Sequence, residues 1–220
     1  MAERQIVACG GFLLGSPLQE HVLSLARGRR ALYVPTANME NADNVLKFYE
    51  LMRGHGEADH LLFNPYPPDD VREFALSFDA IFVGGGNTAN MLAVWRLHGF
   101  DAVLREAWES GIVLAGSSAG MICWFEAGVT DSFGLQLEGM PDGLGFLAGS
   151  ACPHYDGEER RRPRYRELID GGFPSGLAAD DGAALHFVGT ELREVLAVRD
   201  GATAYRVEPG CETALEARSL

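Results

Sequence analysis

The chain has 220 residues, enough for one domain with a substantial core, and its 47% hydrophobic and 22% charged content is that of an ordinary globular protein. Its net charge of −13, from 18 basic against 31 acidic residues, speaks against nucleic acid or an anionic membrane as partner, because both are met by a basic surface. No apolar run approaches the ~20 residues that span a bilayer.

The first segment, MAERQIVACGGF, lacks the cationic-then-apolar order of a signal peptide and reads instead as a strand over 5–9 running into a glycine turn. Further strands are expected over 31–35, 60–63, 80–83 and 112–115, and helices over 18–27, 42–54, 69–76 and 88–111. The last of these is expected to break into two at His98-Gly99. Apolar strands alternating with helices imply an α/β fold, a mainly parallel sheet covered on both faces. After Ser118 the pattern loosens into short strands over 129–132, 150–154, 183–188, 195–198 and 203–207, which either extend the sheet or form an antiparallel edge. No repeat or linker interrupts the chain, so residues 1–220 are read as a single domain. The four cysteines, Cys9, Cys123, Cys152 and Cys211, stand far apart with no CxxC pair, as expected of reduced thiols in a cytoplasmic protein.

Ligands of such a sheet sit beyond the carboxyl ends of its strands. There the chain offers Cys9-Gly10-Gly11-Phe12, then VGGGNT from Val83, then AGSSAG around Ser118. Gly116-Ser117-Ser118-Ala119-Gly120 matches Gly-x-Ser-x-Gly between a strand and a helix, the setting of a nucleophile held on a sharp turn. The glycines two residues either side leave room for the bend, and the Ala119 N–H would point at a developing oxyanion. Of the six histidines, His21, His55 and His98 fall on helices or their ends and read as solvated, and His186 in ALHFV reads as a core residue. His154 follows an apolar strand and is the candidate base. Its orienting carboxylate is Asp131, which lies between serine and histidine in the chain, or Glu126 at the foot of the helix after Ser118. Gly84–Gly86 lacks phosphate-loop spacing and fits a second oxyanion N–H.

VGGGNT, AGSSAG and the later PHY together resemble peptidase family S51, which includes aspartyl dipeptidase and cyanophycinase, over the chain from the first strand to about residue 190. The resemblance implies a fold like the class I glutamine amidotransferase domain, a flavodoxin-like arrangement, with serine in place of its cysteine. It implies Ser118 as nucleophile, His154 as general base, and Gly85 or Gly86 with Ala119 as oxyanion hole. Arg161, within EERRRPRYR, would hold an aspartate side chain of a small peptide substrate, with Arg160 and Arg162 as near neighbours and Asn87 as a further substrate contact. From the residues alone, that arginine cluster reads first as a solvated helix face paired with its own acids, and only second as a site for an anionic group. No cofactor and no metal are expected, and the family allows a homodimer. A cyanophycinase-like substrate, or a ligand-binding module without covalent chemistry, are the competing readings.

Overall fold

The computed structural model describes residues 3–220. The first half alternates β1 (Gln5–Cys9), α1 (Pro17–Leu25), β2 (Arg30–Val34), α2 (Ala42–Met52), β3 (Glu57–His60), α3 (Val71–Leu76) and β4 (Ala80–Val83). It continues through α4 (Thr88–Leu97), α5 (Phe100–Ser110), β5 (Val113–Ser117) and the single turn α6 (Ala119–Ile122). Then come β6 (Phe125–Thr130), β7 (Glu138–Met140), β8 (Leu147–Cys152), α7 (Arg161–Asp170) and β9 (Gly176–Ala179). The chain ends in β10 (Ala183–Val188), β11 (Glu191–Ala197), β12 (Ala204–Glu208), β13 (Cys211–Ala214) and β14 (Ala217–Ser219).

Local chemistry sets these boundaries. Ser16 caps α1 by accepting from Leu18 N–H at 3.3 Å, with Pro17 supplying the first helical residue. The expected break in the long helical stretch falls at Gly99, whose φ of 69° no other residue adopts as readily, and Gly111 at φ 88° ends α5 in the same way.

Among the described residues the strands form two sheets. The larger runs β14-β11-β10-β1-β5-β4-β2-β3, with the five strands from β1 to β3 parallel and β10 antiparallel to β1. Its side chains alternate: Ile6, Ala8, Leu32, Val34 and Ile81 face α3, α4 and α5, while Val7, Cys9, Ala31, Tyr33 and Phe82 face α1 and α2. Helices thus cover both faces, the expected α/β arrangement, and this double burial is why the central strands read as unbroken apolar runs. The smaller sheet, β13-β12-β9-β8-β6-β7, carries α7 on a separate apolar cluster around Tyr155, Tyr165 and Ile169. Only β10, β11 and β14 of the later strands extend the main sheet; a second sheet was not anticipated. No helix among the described residues is long and apolar enough to cross a membrane.

Two other expectations shift. The strand expected over 60–63 lies at Glu57–His60, because the apolar Leu61 and Phe63 are buried in the connection that follows the ladder. The helix after Ser118 lasts one turn: at Trp124 the chain already accepts backbone bonds from Phe146 and Leu147, and Glu126 sits on a strand.

Candidate active site

Ser118 occupies the turn from β5 into α6 with φ 57° and ψ −114°, a conformation that costs a non-glycine residue about 1–3 kcal/mol. Its N–H donates to Cys9 C=O at 3.1 Å, and its own carbonyl accepts from Met121 and Ile122. A Cβ on Gly116 would lie 2.3 Å from Gly120 C=O, and one on Gly120 would lie 2.5 Å from Val83 C=O. The turn therefore closes only with glycine at both positions. Gly85 lies against the serine, where a Cβ would stand 3.1 Å from Ser118 Cβ and 3.6 Å from Oγ. Gly86 turns away at φ 134° to pack on Ala37 C=O. The N–H groups of Gly85 and Ala119 have no backbone acceptor among the described residues outside regular elements.

Asn87 is already engaged. Its Oδ1 caps α4 through Asn90 N–H at 2.8 Å, and its Nδ2 donates to Ser132 C=O at 3.0 Å. It ties the glycine loop to the segment after β6, and one of its two Nδ2–H donors is not engaged by another residue among those described.

His154 follows β8 at φ 54°, a second strained non-glycine residue. Its Nδ1 is 2.6 Å from Asp181 Oδ1, with both side chains about one-fifth exposed. Asp181 stands in the turn between β9 and β10. Because β10 runs antiparallel to β1, that turn reaches the same sheet edge as the ends of β1 and β5. Glycine makes the space: a Cβ on Gly11 would lie 2.0 Å from Asp181 Oδ1 and 3.3 Å from His154 Cε1, and one on Gly157 would lie 2.1 Å from Oδ2. Asp181 N–H donates to Asp156 Oδ1 at 2.8 Å, and Arg199 Nε donates to Asp181 C=O at 3.0 Å, so the turn is held from both sides. The end of β1 lies between the two halves of the site, with Cys9 bonded to Ser118 and Gly11 against His154 and Asp181. Among the described residues no hydrogen bond joins Ser118 Oγ to the His154 ring; such contacts often tighten only with substrate bound. The Cys9 thiol beneath the site is pushed up to about 12 by burial, against the pull of its bond to Gly11 C=O, and stays neutral.

Neither carboxylate expected beside His154 is there. Glu126 is exposed on β6, and its Oε2 accepts from Gly149 N–H at 2.8 Å. Asp131 is exposed just beyond β6, lining a cavity with Leu135, Leu137, Glu158, Glu159 and Arg160. Both lie between Ser118 and His154 in the chain, but the partner comes from beyond α7. The visible clue was ADDG at 179–182, two acids and a glycine opening an apolar strand.

Arg161 does not reach toward a substrate. It is buried; Nε and Nη2 grip Glu158 at 2.7 and 3.3 Å, and Nη1 donates to Val129 C=O at 3.1 Å. The Glu158 carboxyl lies below its usual range: burial raises it, and the bond from the Arg161 guanidinium together with the neighbouring positive charges outweighs that. Arg162 pairs with Glu212 and lies over the Tyr205 ring. Arg160 is exposed, makes no ion pair among the described residues, and donates to Leu135 C=O at 3.4 Å across the cavity that holds Asp131.

The comparisons with known proteins agree with one another. The chain is 46% identical over 214 residues to a protein of Bacillus subtilis (strain 168) named "Uncharacterized peptidase YgaJ", covering 93% of this chain and 92% of that one. It is 26% identical over 196 residues to peptidase E of Shewanella denitrificans, covering 82% of each. The crystal structure of a peptidase from an acI-B1 Actinobacterium shares the fold at TM-score 0.69 and 18% identity, covering 98% of this chain and 95% of that one. Residues 14–195 match the model of peptidase family S51, and with that match and the B. subtilis relative the chain belongs to peptidase family S51.

Proposed function

We propose that this peptidase is of the serine type and hydrolyses short peptides through an acyl-enzyme on Ser118. The observation that carries the reading is the 2.6 Å contact between His154 Nδ1 and Asp181, set across the end of β1 from a serine held on a strained turn. A carboxylate on Nδ1 keeps the proton there and leaves Nε2 as the basic atom. In the first step Ser118 Oγ bonds to the peptide carbonyl carbon while its proton passes to His154 Nε2. The oxyanion forms against the N–H groups of Gly85 and Ala119. Collapse breaks the C–N bond, and His154 returns the proton to the departing amine. Water, deprotonated by the same nitrogen, then attacks the ester and frees Ser118.

For substrate we favour a short peptide with an N-terminal aspartate, supported by the peptidase E relative and by Arg160, whose exposed guanidinium borders a cavity with Leu135, Leu137 and Glu158, the last of these four residues beyond His154. Arg160 takes the role first expected of Arg161, whose donors are spent inside the fold. The test is kcat/KM on Asp-X, Asn-X and Ala-X dipeptides, with labelling by a serine-reactive phosphonate. Preference for Asp-X that falls in Arg160→Ala supports the reading. Hydrolysis without that preference would leave a family peptidase of different specificity. Absence of phosphonate labelling would refute the covalent mechanism.

A further inference from the structure

On the face of the main sheet covered by α1, two histidine nitrogens are buried without a hydrogen-bond partner, His21 Nε2 and His186 Nδ1. His21 was expected to be solvated on its helix, but its ring instead lies edge-on against His186, with centroids 5.3 Å apart. His186 is 4% exposed on β10, beside Glu194 of β11 in register. Its Nε2 is 2.9 Å from Gln5 Oε1, an oxygen that only accepts, so Nε2 carries the proton and Nδ1 presents a lone pair. That lone pair faces Glu194 Oε1 at 3.5 Å. Glu194 Oε2 is engaged by Arg218 Nε at 2.8 Å, which fixes the carboxylate with Oε1 turned inward. One donor atom from each of His21, His186 and Glu194 falls within 4.8 Å of the others. Three electron-pair donors thus converge with no proton between His186 and Glu194, an arrangement that a cation relieves.

We propose that His21, His186 and Glu194 bind a divalent transition-metal ion of the zinc class, fastening α1 to the β10–β11 side of the sheet. Two imidazoles and one carboxylate are a ligand set zinc accepts, with a water completing four-coordination. Gln5 and Arg218 act as outer partners that orient His186 and Glu194. Bonds of about 2.0–2.2 Å place tetrahedral ligands roughly 3.3 Å apart, so binding draws donor atoms that now lie within 4.8 Å of one another together by up to about 1.5 Å. His21, half-buried on the helix, has the room to make that move. The Arg218 charge opposes the ion and limits its affinity. Among the described residues no hydrogen bond joins His21, His186 or Glu194 to Ser118, His154 or Asp181, so the ion is assigned a structural role.

The test is titration of the metal-stripped full chain with Zn²⁺, followed by calorimetry and thermal unfolding, and with Co²⁺, followed by visible absorption. The expected result is one equivalent bound per chain, a raised Tm and the intense Co²⁺ bands of a tetrahedral site. His21→Gln and Glu194→Gln should each weaken binding by more than the roughly 10–100-fold that follows loss of an outer partner. His186→Gln carries more risk of misfolding, so His21→Gln on the helix surface is the deciding variant. Ser118→Ala should bind as the parent does, which separates this result from any failure of the serine mechanism. Absence of saturable binding in the parent, or unchanged one-to-one binding in His21→Gln, overturns the proposal.

Discussion

An imidazole that is to accept a proton through Nε2 must keep its own proton on Nδ1, and the atom that accepts the hydrogen bond from Nδ1 here is Asp181 Oδ1. Asp181→Asn would stabilise the opposite tautomer, and the same change in the trypsin-type triad lowers kcat by about 10⁴-fold. A loss on the order of 10³–10⁴-fold is expected, with an unchanged unfolding midpoint. Asp131→Asn and Glu126→Gln should stay near the parent rate, since neither touches His154. Ser118→Ala should abolish phosphonate labelling and lower kcat by several orders of magnitude with the fold intact. Steady-state kinetics on all four variants checks the assignment, and a slow Asp131→Asn beside a normal Asp181→Asn would reverse it.

At the scale of elements, the bend between β5 and α6 rests on two backbone approaches too close for any side chain. Gly120→Ala would drive a Cβ into Val83 C=O, and Gly116→Ala would drive one into Gly120 C=O. Each should cost about 1–3 kcal/mol, read by denaturant midpoint, and remove activity with it. Gly134→Ala meets nothing within 4 Å and serves as the neutral control. The same glycines explain what could be read in advance. Gly-x-Ser-x-Gly marks the turn because the geometry admits few other residues. β1, β4 and β10 were legible to the residue because burial on both faces leaves a continuous apolar run. β3, β7, β9, β13 and β14 are short, polar or alanine-rich, so their pairing depends on neighbours distant in sequence. Asp181 escaped notice for a related reason: nothing local shows that an antiparallel β10 returns its leading end to the edge where Ser118 emerges.

At the scale of the molecule, charge placement separates stability from specificity. Arg161 bridges α7 to the smaller sheet through Val129 C=O and is braced by Glu158 just before the helix, so Arg161→Ala should lower stability by about 1–3 kcal/mol. Glu158 is half-exposed and can be rehydrated, which keeps the cost below that of a fully buried pair. The ratio of Asp-X to Ala-X turnover should be unchanged, and a collapse of that ratio would return Arg161 to the substrate site. Acid lability follows from carboxylates held below their usual values. The Glu20 carboxyl falls from 4.5 to about 2, chiefly through its bond from Arg29, and Glu106 is lowered by Arg72. For such groups the unfolded chain binds more protons at a given pH, so their contribution is present above 4.5 and lost as pH falls toward 2. Unfolding midpoints from pH 5 to pH 2.5 should decline, and 0.5 M salt should flatten the decline because these pairs are exposed.

The pairing of β1 with β10 joins Gln5 to Val188 and is also what delivers Asp181 to His154. Closing so long a loop is entropically slow relative to the local β–α units before it. Asp181 is the last in the chain of the three groups in the proposed mechanism, so a chain ending before it carries Ser118 and His154 without their carboxylate. During refolding, fluorescence of the buried Trp95, Trp108 and Trp124 should recover before peptidase activity returns. On the proposed mechanism, the return of peptidase activity then reports the closure of β10 onto β1.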